Sequence, residues 1–306
     1  MGLFHCPVGA PFYDDEACID CKLCMATTRE EMVEATKRIR AHAGSGIKKK
    51  GTVSKIAVTG KGGVGKSSVV TLLAAALERK GYRVVVLDAD ESNTGLHRMI
   101  GFEGEPKYLM ASTKRPGPGE EEPSPEWMTN DRIGIADLPA EYVLSRDGLR
   151  FLIAGKIVDP LQGCACRIAD TVGNLIARFT VGDDEVMIID TEAGVECFGR
   201  GVERSVDTVL IVAEPSFESL VLSEKIAYMA EGIGIGMVRA VLNKVPSDEI
   251  RQKMAEELSR RNVKVAGTIY LDPELSEAAF KGVKLGYSKA ASDMDAIVAV
   301  LLEESR

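Results

Sequence analysis

Aromatic residues make up only 5% of this 306-residue chain: one Trp, seven Tyr and eight Phe. That scarcity speaks against a stacking surface for single-stranded nucleic acid. A positive excess is also missing. The chain has 38 Lys and Arg against 46 Asp and Glu, a formal net charge of −8, whereas a general DNA or RNA binder carries a basic face. No apolar run approaches the roughly 20 residues that span a bilayer. Met1–Ala10 has neither the basic start nor the apolar stretch of a secretory signal. The expectation is a cytoplasmic protein with no nucleic acid and no membrane among its partners. Histidine is scarce too, and His42 and His97 have no evident partner. What is plentiful is glycine, 30 residues, in a chain that is 45% hydrophobic. That combination suits tight strand-to-helix turns in a globular protein with a full core.

The order of patterns points to two domains, residues 1–50 and 51–306. The first is a Cys-rich head, followed by a short helix over Glu30–Ala43 and a Gly/Lys linker, Gly44–Gly51. From Lys55 short apolar β-branched runs alternate with helical ones. Strands are expected at Ile56–Thr59, Arg83–Leu87, Phe151–Ala154, Val186–Ile189, Thr208–Ala213, Val238–Leu242 and Val265–Ile269. Their continuous apolarity fits an α/β fold, a mostly parallel sheet with helices on both faces. Helices are expected at Ser67–Arg79, Asp170–Phe179, Ser219–Glu231, Asp248–Arg261 and Asp293–Glu304. The Pro- and Glu-rich stretch Glu103–Asn130 reads as a surface excursion.

Gly60-Lys61-Gly62-Gly63-Val64-Gly65-Lys66-Ser67 fits the phosphate-loop pattern G-x-x-x-x-G-K-[ST], between a strand and an Ala/Leu-rich helix. The glycines let backbone N–H groups turn inward around a β-phosphate, and the helix N-terminus adds partial positive charge. Lys66 is placed to reach the β/γ oxygens and Ser67 to offer a hydroxyl to Mg²⁺, with Ser68 next in the loop. Two further polar clusters end strands: Asp88-Ala-Asp90 and Asp190-Thr-Glu-Ala-Gly194. Asn243-Lys244 ends another, and the Asn243 amide suits an adenine edge. Strand C-terminal ends are where open α/β sheets bind ligands.

The extra lysine, Lys61, makes this loop resemble the deviant Walker A sequence of the MinD, ParA, Mrp and nitrogenase iron protein superfamily. The resemblance implies an ATPase in which Lys61 contacts nucleotide across a homodimer interface. It makes Asp88 and Asp90 switch I, with a carboxylate orienting Mg²⁺-bound or attacking water. It makes Asp190 a switch II carboxylate that holds Mg²⁺ through water, and Gly194 an N–H donor to the γ-phosphate. The catalytic set is then Lys61, Lys66, Asp90 and Asp190.

Six of the seven cysteines sit in two clusters, which in a cytosolic chain read as metal sites before disulfides. Cys164-Ala-Cys166, taken as an extended stretch, points two thiolates the same way. They supply two ligands where Zn²⁺ prefers four, so a two-fold dimer would complete the shell. Two small core residues are the plainer alternative. The C-x-C pair with its Asp-x-Glu-Ala-Gly switch II is similar to the CooC-type nickel-insertion ATPases of carbon monoxide dehydrogenase maturation. That similarity implies Ni²⁺ or Zn²⁺ at Cys164 and Cys166 and delivery of nickel to an apo client enzyme. In the head, Cys18-x₂-Cys21-x₂-Cys24 with Cys6-Pro7 resembles a ferredoxin half-site and calls for a 4Fe–4S cluster or a zinc ion. Cys197 is read as structural and His5 as a bystander.

Three readings follow. The first is an ATP-dependent metal-insertion protein. The second is an ATP-gated iron–sulfur electron donor or cluster carrier. The third, a MinD- or ParA-type positioning switch, ranks last because the C-terminal Asp293–Arg306 segment lacks the basic face of a membrane-surface helix.

Overall fold

The structure, a computed structural model, describes residues 53–110, 130–156, 166–195 and 205–305, with the side chains of the third stretch described from 172 onward. The Glu30–Ala43 helix, the linker, His5, His42 and Cys197 lie outside the described residues.

Among the described residues eight strands form one sheet: β1 (Lys55–Gly60), β2 (Arg83–Asp88), β3 (Leu144–Arg146), β4 (Leu149–Ile153), β5 (Glu185–Asp190), β6 (Thr208–Ala213), β7 (Met237–Val245) and β8 (Val265–Tyr270). Their order is β3-β4-β2-β5-β1-β6-β7-β8. Every pairing is parallel except β3 with β4. The helices are α1 (Lys66–Arg79), α2 (Leu96–Ile100), α3 (Cys166–Arg178), α4 (Phe217–Gly232), α5 (Asp248–Arg260), α6 (Pro273–Lys281) and α7 (Lys289–Glu304).

The period of two along each strand divides the apolar residues between two cores. Ile56, Val58, Val84 and Val86 face α1 and α7 on one side. Ala57, Val85 and Leu87 face α3, α4 and α5 on the other. Both faces are covered, so the strands read as continuous apolar runs. The expected fold class is therefore the observed one. Helix α7 buries Ala290, Met294, Ile297, Val298 and Leu301 in the core with α1, so its apolar side faces protein. Among the described residues no helix is long and apolar enough to cross a membrane.

Several expectations need correction. The segment from Glu103 is not wholly a surface excursion: Pro106 and Leu109 are buried, and Leu109 and Met110 donate backbone N–H bonds to Ile153 and Ala154 at the end of β4. Residues 111–129 lie outside the described residues. Strand β3 and helices α2 and α6 have no counterpart among the expected elements, whereas β4 is the strand expected at Phe151–Ala154. Helix α3 starts at Cys166, before the Asp170 expected.

Asp272 shows how the far end of the sheet is held. Its Oδ1 caps α6 by accepting from the Glu274 and Leu275 N–H groups at 2.9 and 3.4 Å, and its Oδ2 accepts from Ala290 N at 2.8 Å in the first turn of α7. Burial alone would raise this carboxyl, but the bonds from these N–H groups hold it below its usual range. A depressed folded value means stability that is present above the ordinary carboxylate pKa and lost as pH falls through the folded one. Asp272→Ala should therefore cost about 2 kcal/mol near neutral pH. Urea denaturation should show the gap to wild type closing below about pH 4.

Candidate nucleotide site

The winding of the sheet reverses at β1, whose neighbours are β5 and β6. The phosphate loop leaves its C-terminal end at this switch point. Two glycines there are obligatory. Gly60 has φ of 151°, and a Cβ on it would lie 2.5 Å from Val212 O on β6. Gly65 has φ of 94°, and its Cβ would lie 2.6 Å from Asn243 Nδ2. Gly65 is also the N-cap of α1. It brings no side chain to the cap, and no acidic residue sits in the first turn. Among the described residues the leading N–H groups of α1 thus meet no side-chain cap, as anion binding at a helix start requires.

The ends of β2 and β5 bring three buried carboxylates, Asp88, Asp90 and Asp190, to this loop. Ser67 Oγ donates to Asp190 Oδ2 at 2.7 Å. The other oxygen, Asp190 Oδ1, is buried without a hydrogen-bond partner among the described residues. A buried carboxylate oxygen left unpaired is costly, and it marks a place for a hydrated cation beside the Ser67 hydroxyl. The donor set of hydroxyl, carboxylate and phosphate suits Mg²⁺, which keeps several waters. Burial pushes Asp190 up to about 6, against the Ser67 hydrogen bond and the nearby Lys66 ammonium. Burial also pushes Asp88 up to about 7. Lys156 opposes that rise, and Asp190 and Asp90 reinforce it.

The expected residues are assembled, with some bonded differently from expectation. Lys66, on α1, is 7% exposed. Lys61 bonds within its own chain, to Glu218 Oε2 at 2.7 Å in the first turn of α4. The pair is exposed, so its hold is weak, and a contact across a dimer requires Lys61 to leave it. Asn243, besides facing the site, donates from Nδ2 to Val64 O at 2.7 Å and so props the loop from below. Lys244 bonds to Gly63 O and to Glu214 Oε2 on the rim. The Gly194 N–H, expected to face a γ-phosphate, donates instead to Gly60 O at 3.0 Å. His97 is a core residue of α2, packed near Phe151 with Glu105 3.7 Å away.

Two site residues were missed by sequence reading. Asn93 donates from Nδ2 to Ser67 Oγ at 2.9 Å. Lys156, 3% exposed, pairs with Asp88 at 2.8 Å. Neither belongs to a motif.

Cys6, Cys18, Cys21, Cys24 and Cys164 are outside the described residues. Cys166 is the first residue of α3, so the C-x-C pair does not lie on one extended stretch. Among the described residues no group of three or more His, Cys, Asp or Glu side chains is arranged to hold a metal ion.

The model of the CobQ/CobB/MinD/ParA nucleotide binding domain family matches residues 55–285. An uncharacterized ATP-binding protein of Methanocaldococcus jannaschii is 36% identical over 76% of this chain and 93% of its own length. The carbon monoxide dehydrogenase accessory protein CooC of Rhodospirillum rubrum is 36% identical over 63% of this chain and 75% of its own. An iron–sulfur cluster carrier protein of M. jannaschii is 28% identical over 81% of this chain and 83% of its own. Among solved structures, the cell division ATPase MinD of Pyrococcus furiosus superimposes with a TM-score of 0.60 at 21% identity, covering 82% of this chain and 99% of that one. At that identity the likeness speaks for the fold.

Proposed function

The chain belongs to the CobQ/CobB/MinD/ParA nucleotide-binding family and is a P-loop ATPase, and from that premise we propose that it is an ATP-dependent metallochaperone. In this reading Gly60–Ser68 wrap the phosphates, with Lys66 neutralising the β/γ oxygens. Ser67, Asp190 and Asp88 are the residues that would hold Mg²⁺, which would supply further charge neutralisation of the phosphoryl group. Asp90 orients the attacking water. Asn243 and Lys244 border the base. ATP closes a homodimer through Lys61, and the closed form brings together the Cys164/Cys166 pairs of two subunits as one Ni²⁺ or Zn²⁺ site. Hydrolysis opens the dimer and releases the metal to an apo client of the carbon monoxide dehydrogenase type, in the cytoplasm. Residues 1–50 form a separate head whose Cys6, Cys18, Cys21 and Cys24 hold a 4Fe–4S cluster.

The observation that carries the metal half is the C-x-C pair itself. In chain order Cys164 falls between β4, whose end pairs with Asp88 on β2, and α3, whose first residue is Cys166. The relationship to CooC supports it.

A second reading, an iron–sulfur cluster carrier or donor with its cluster in the head or held across the dimer by the Cys164/Cys166 pairs, is favoured by the ferredoxin-like triple Cys18, Cys21 and Cys24 and by the carrier relative. The two are separated by comparing anaerobically purified wild type with the Cys164→Ser/Cys166→Ser variant. The metallochaperone reading expects the variant to lose nickel or zinc while iron and sulfide stay with the head. Loss of iron and sulfide instead would establish the cluster-carrier reading.

A further inference from the structure

Two lysines are buried among the described residues, Lys66 and Lys156. The first belongs to the phosphate loop; the second sits just beyond β4, outside any motif. Ala154 N donates to Asp88 O at 2.9 Å, which lays the end of β4 along the end of β2. Two residues later the Lys156 ammonium lies 2.8 Å from Asp88 Oδ2 and donates to Asp90 O at 2.5 Å. An ammonium is costly to bury unless its charge is answered, and here it is answered by the first residue of switch I.

The bonds continue from there. Asp90 N donates to Asp88 Oδ1 at 3.2 Å, and Ser92 donates to Asp90 Oδ1 from N and Oγ at 3.0 and 2.6 Å. Asn93 N donates to Asp90 O at 3.3 Å, the carbonyl that Lys156 also holds. Asn93 Nδ2 then reaches Ser67 Oγ. A continuous path thus runs from Lys156 through the Asp88–Asn93 turn to the hydroxyl assigned to Mg²⁺.

We propose that Lys156 is a positioning residue of the ATPase: it fixes the Asp88–Asn93 turn without help from a divalent ion, and by sharing Asp88 with hydrated Mg²⁺ it sets the magnesium concentration at which nucleotide binds. The inference rests on the assignment of Asp88 to Mg²⁺ made above. One fixed positive charge beside the carboxylate opposes a second cation there, so removing it strengthens Mg²⁺ binding even as it loosens the turn. A lysine that only filled space would destabilise the fold and leave the magnesium dependence where it was.

The test uses the full chain as wild type, Lys156→Met and Lys156→Arg, with fluorescent ADP binding followed during a Mg²⁺ titration. The half-saturating Mg²⁺ concentration should fall about tenfold in Lys156→Met and stay within about twofold of wild type in Lys156→Arg, which keeps the charge. In Lys156→Met kcat for ATP should drop more than KM rises. An unchanged half-saturation in Lys156→Met overturns the proposal. A second arm needs no variant. In wild type with chelator and no nucleotide, the amides of Asp90, Ser92 and Asn93 should already exchange slowly, and Mg²⁺ should not slow them further. Free exchange until Mg²⁺ is added also overturns it. If ADP binding to wild type needs no Mg²⁺, the magnesium assignment fails, and the same exchange measured in Lys156→Met, where it should quicken, still decides whether Lys156 holds the turn.

Discussion

Lys66→Ala should lose ATP hydrolysis by roughly 10²–10³-fold or more, because the phosphoryl oxygens lose their principal protein cation in a site where few charges are screened by water. Lys66 is 7% exposed and stands at the first position of α1, beside the carboxylate of Asp190. Its removal leaves Asp88, Asp90 and Asp190 with Lys156 as the remaining buried ammonium among the described residues. Alanine is a good helix former, so α1 should persist. Circular dichroism and a melting curve check that it does, while phosphate release is measured under excess Mg²⁺. Turnover within about tenfold of wild type would contradict the nucleotide assignment.

The second large effect belongs to the cysteine pair. Cys164→Ser/Cys166→Ser should bind and hydrolyse ATP near the wild-type rate yet bind no Ni²⁺ or Zn²⁺ at the shared site. It should also fail to activate a nickel client. Ser offers a hydroxyl where a soft thiolate is needed, and the loss of all four sulfur ligands leaves the ion in water. Metal affinity in the wild type should rise with pH, because each thiol must release a proton to bind. A double variant that activates the client as well as wild type would remove the metal role from this pair.

What could be read from the amino-acid order was whatever depends on neighbours in the chain. The apolar strands show themselves because both faces of the sheet are covered. The phosphate loop shows itself because glycines at Gly60 and Gly65 answer close approaches that no other residue tolerates. Short elements escaped for an equally local reason. Strand β3 has three residues, too few to display an alternation, although Asp147-Gly148 at its turn, with Asp147 at φ of 48°, was a legible hairpin signal. Helix α6 buries only Leu275 and Ala278, so its apolar side was faint, although Asp272-Pro273 marks its start.

Lys156 and Asn93 escaped for a different reason. Their partners lie far away in sequence: Lys156 and Asp90 are 66 positions apart, Asn93 and Ser67 26. A lysine after an apolar strand looks solvent-facing until the fold buries it. The same limit applies to Asn243, whose bond to Val64 spans 179 positions. The Gly194 N–H was expected on a phosphate and is found on Gly60, a register set by β1 and β5 lying side by side.

In the proposed mechanism nucleotide and metal act through one dimer interface. Both ligands favour the closed dimer, so each should raise the other's affinity by the same factor. The most direct measurement is a titration of Ni²⁺ or Zn²⁺ into the metal-free protein, with and without a non-hydrolysable ATP analogue, followed by light scattering. With a shared site, ions bound through Cys164 and Cys166 should number one per two chains, mass should double as they bind, and the analogue should tighten the binding. One ion per chain at that pair, with no change in mass, would contradict it.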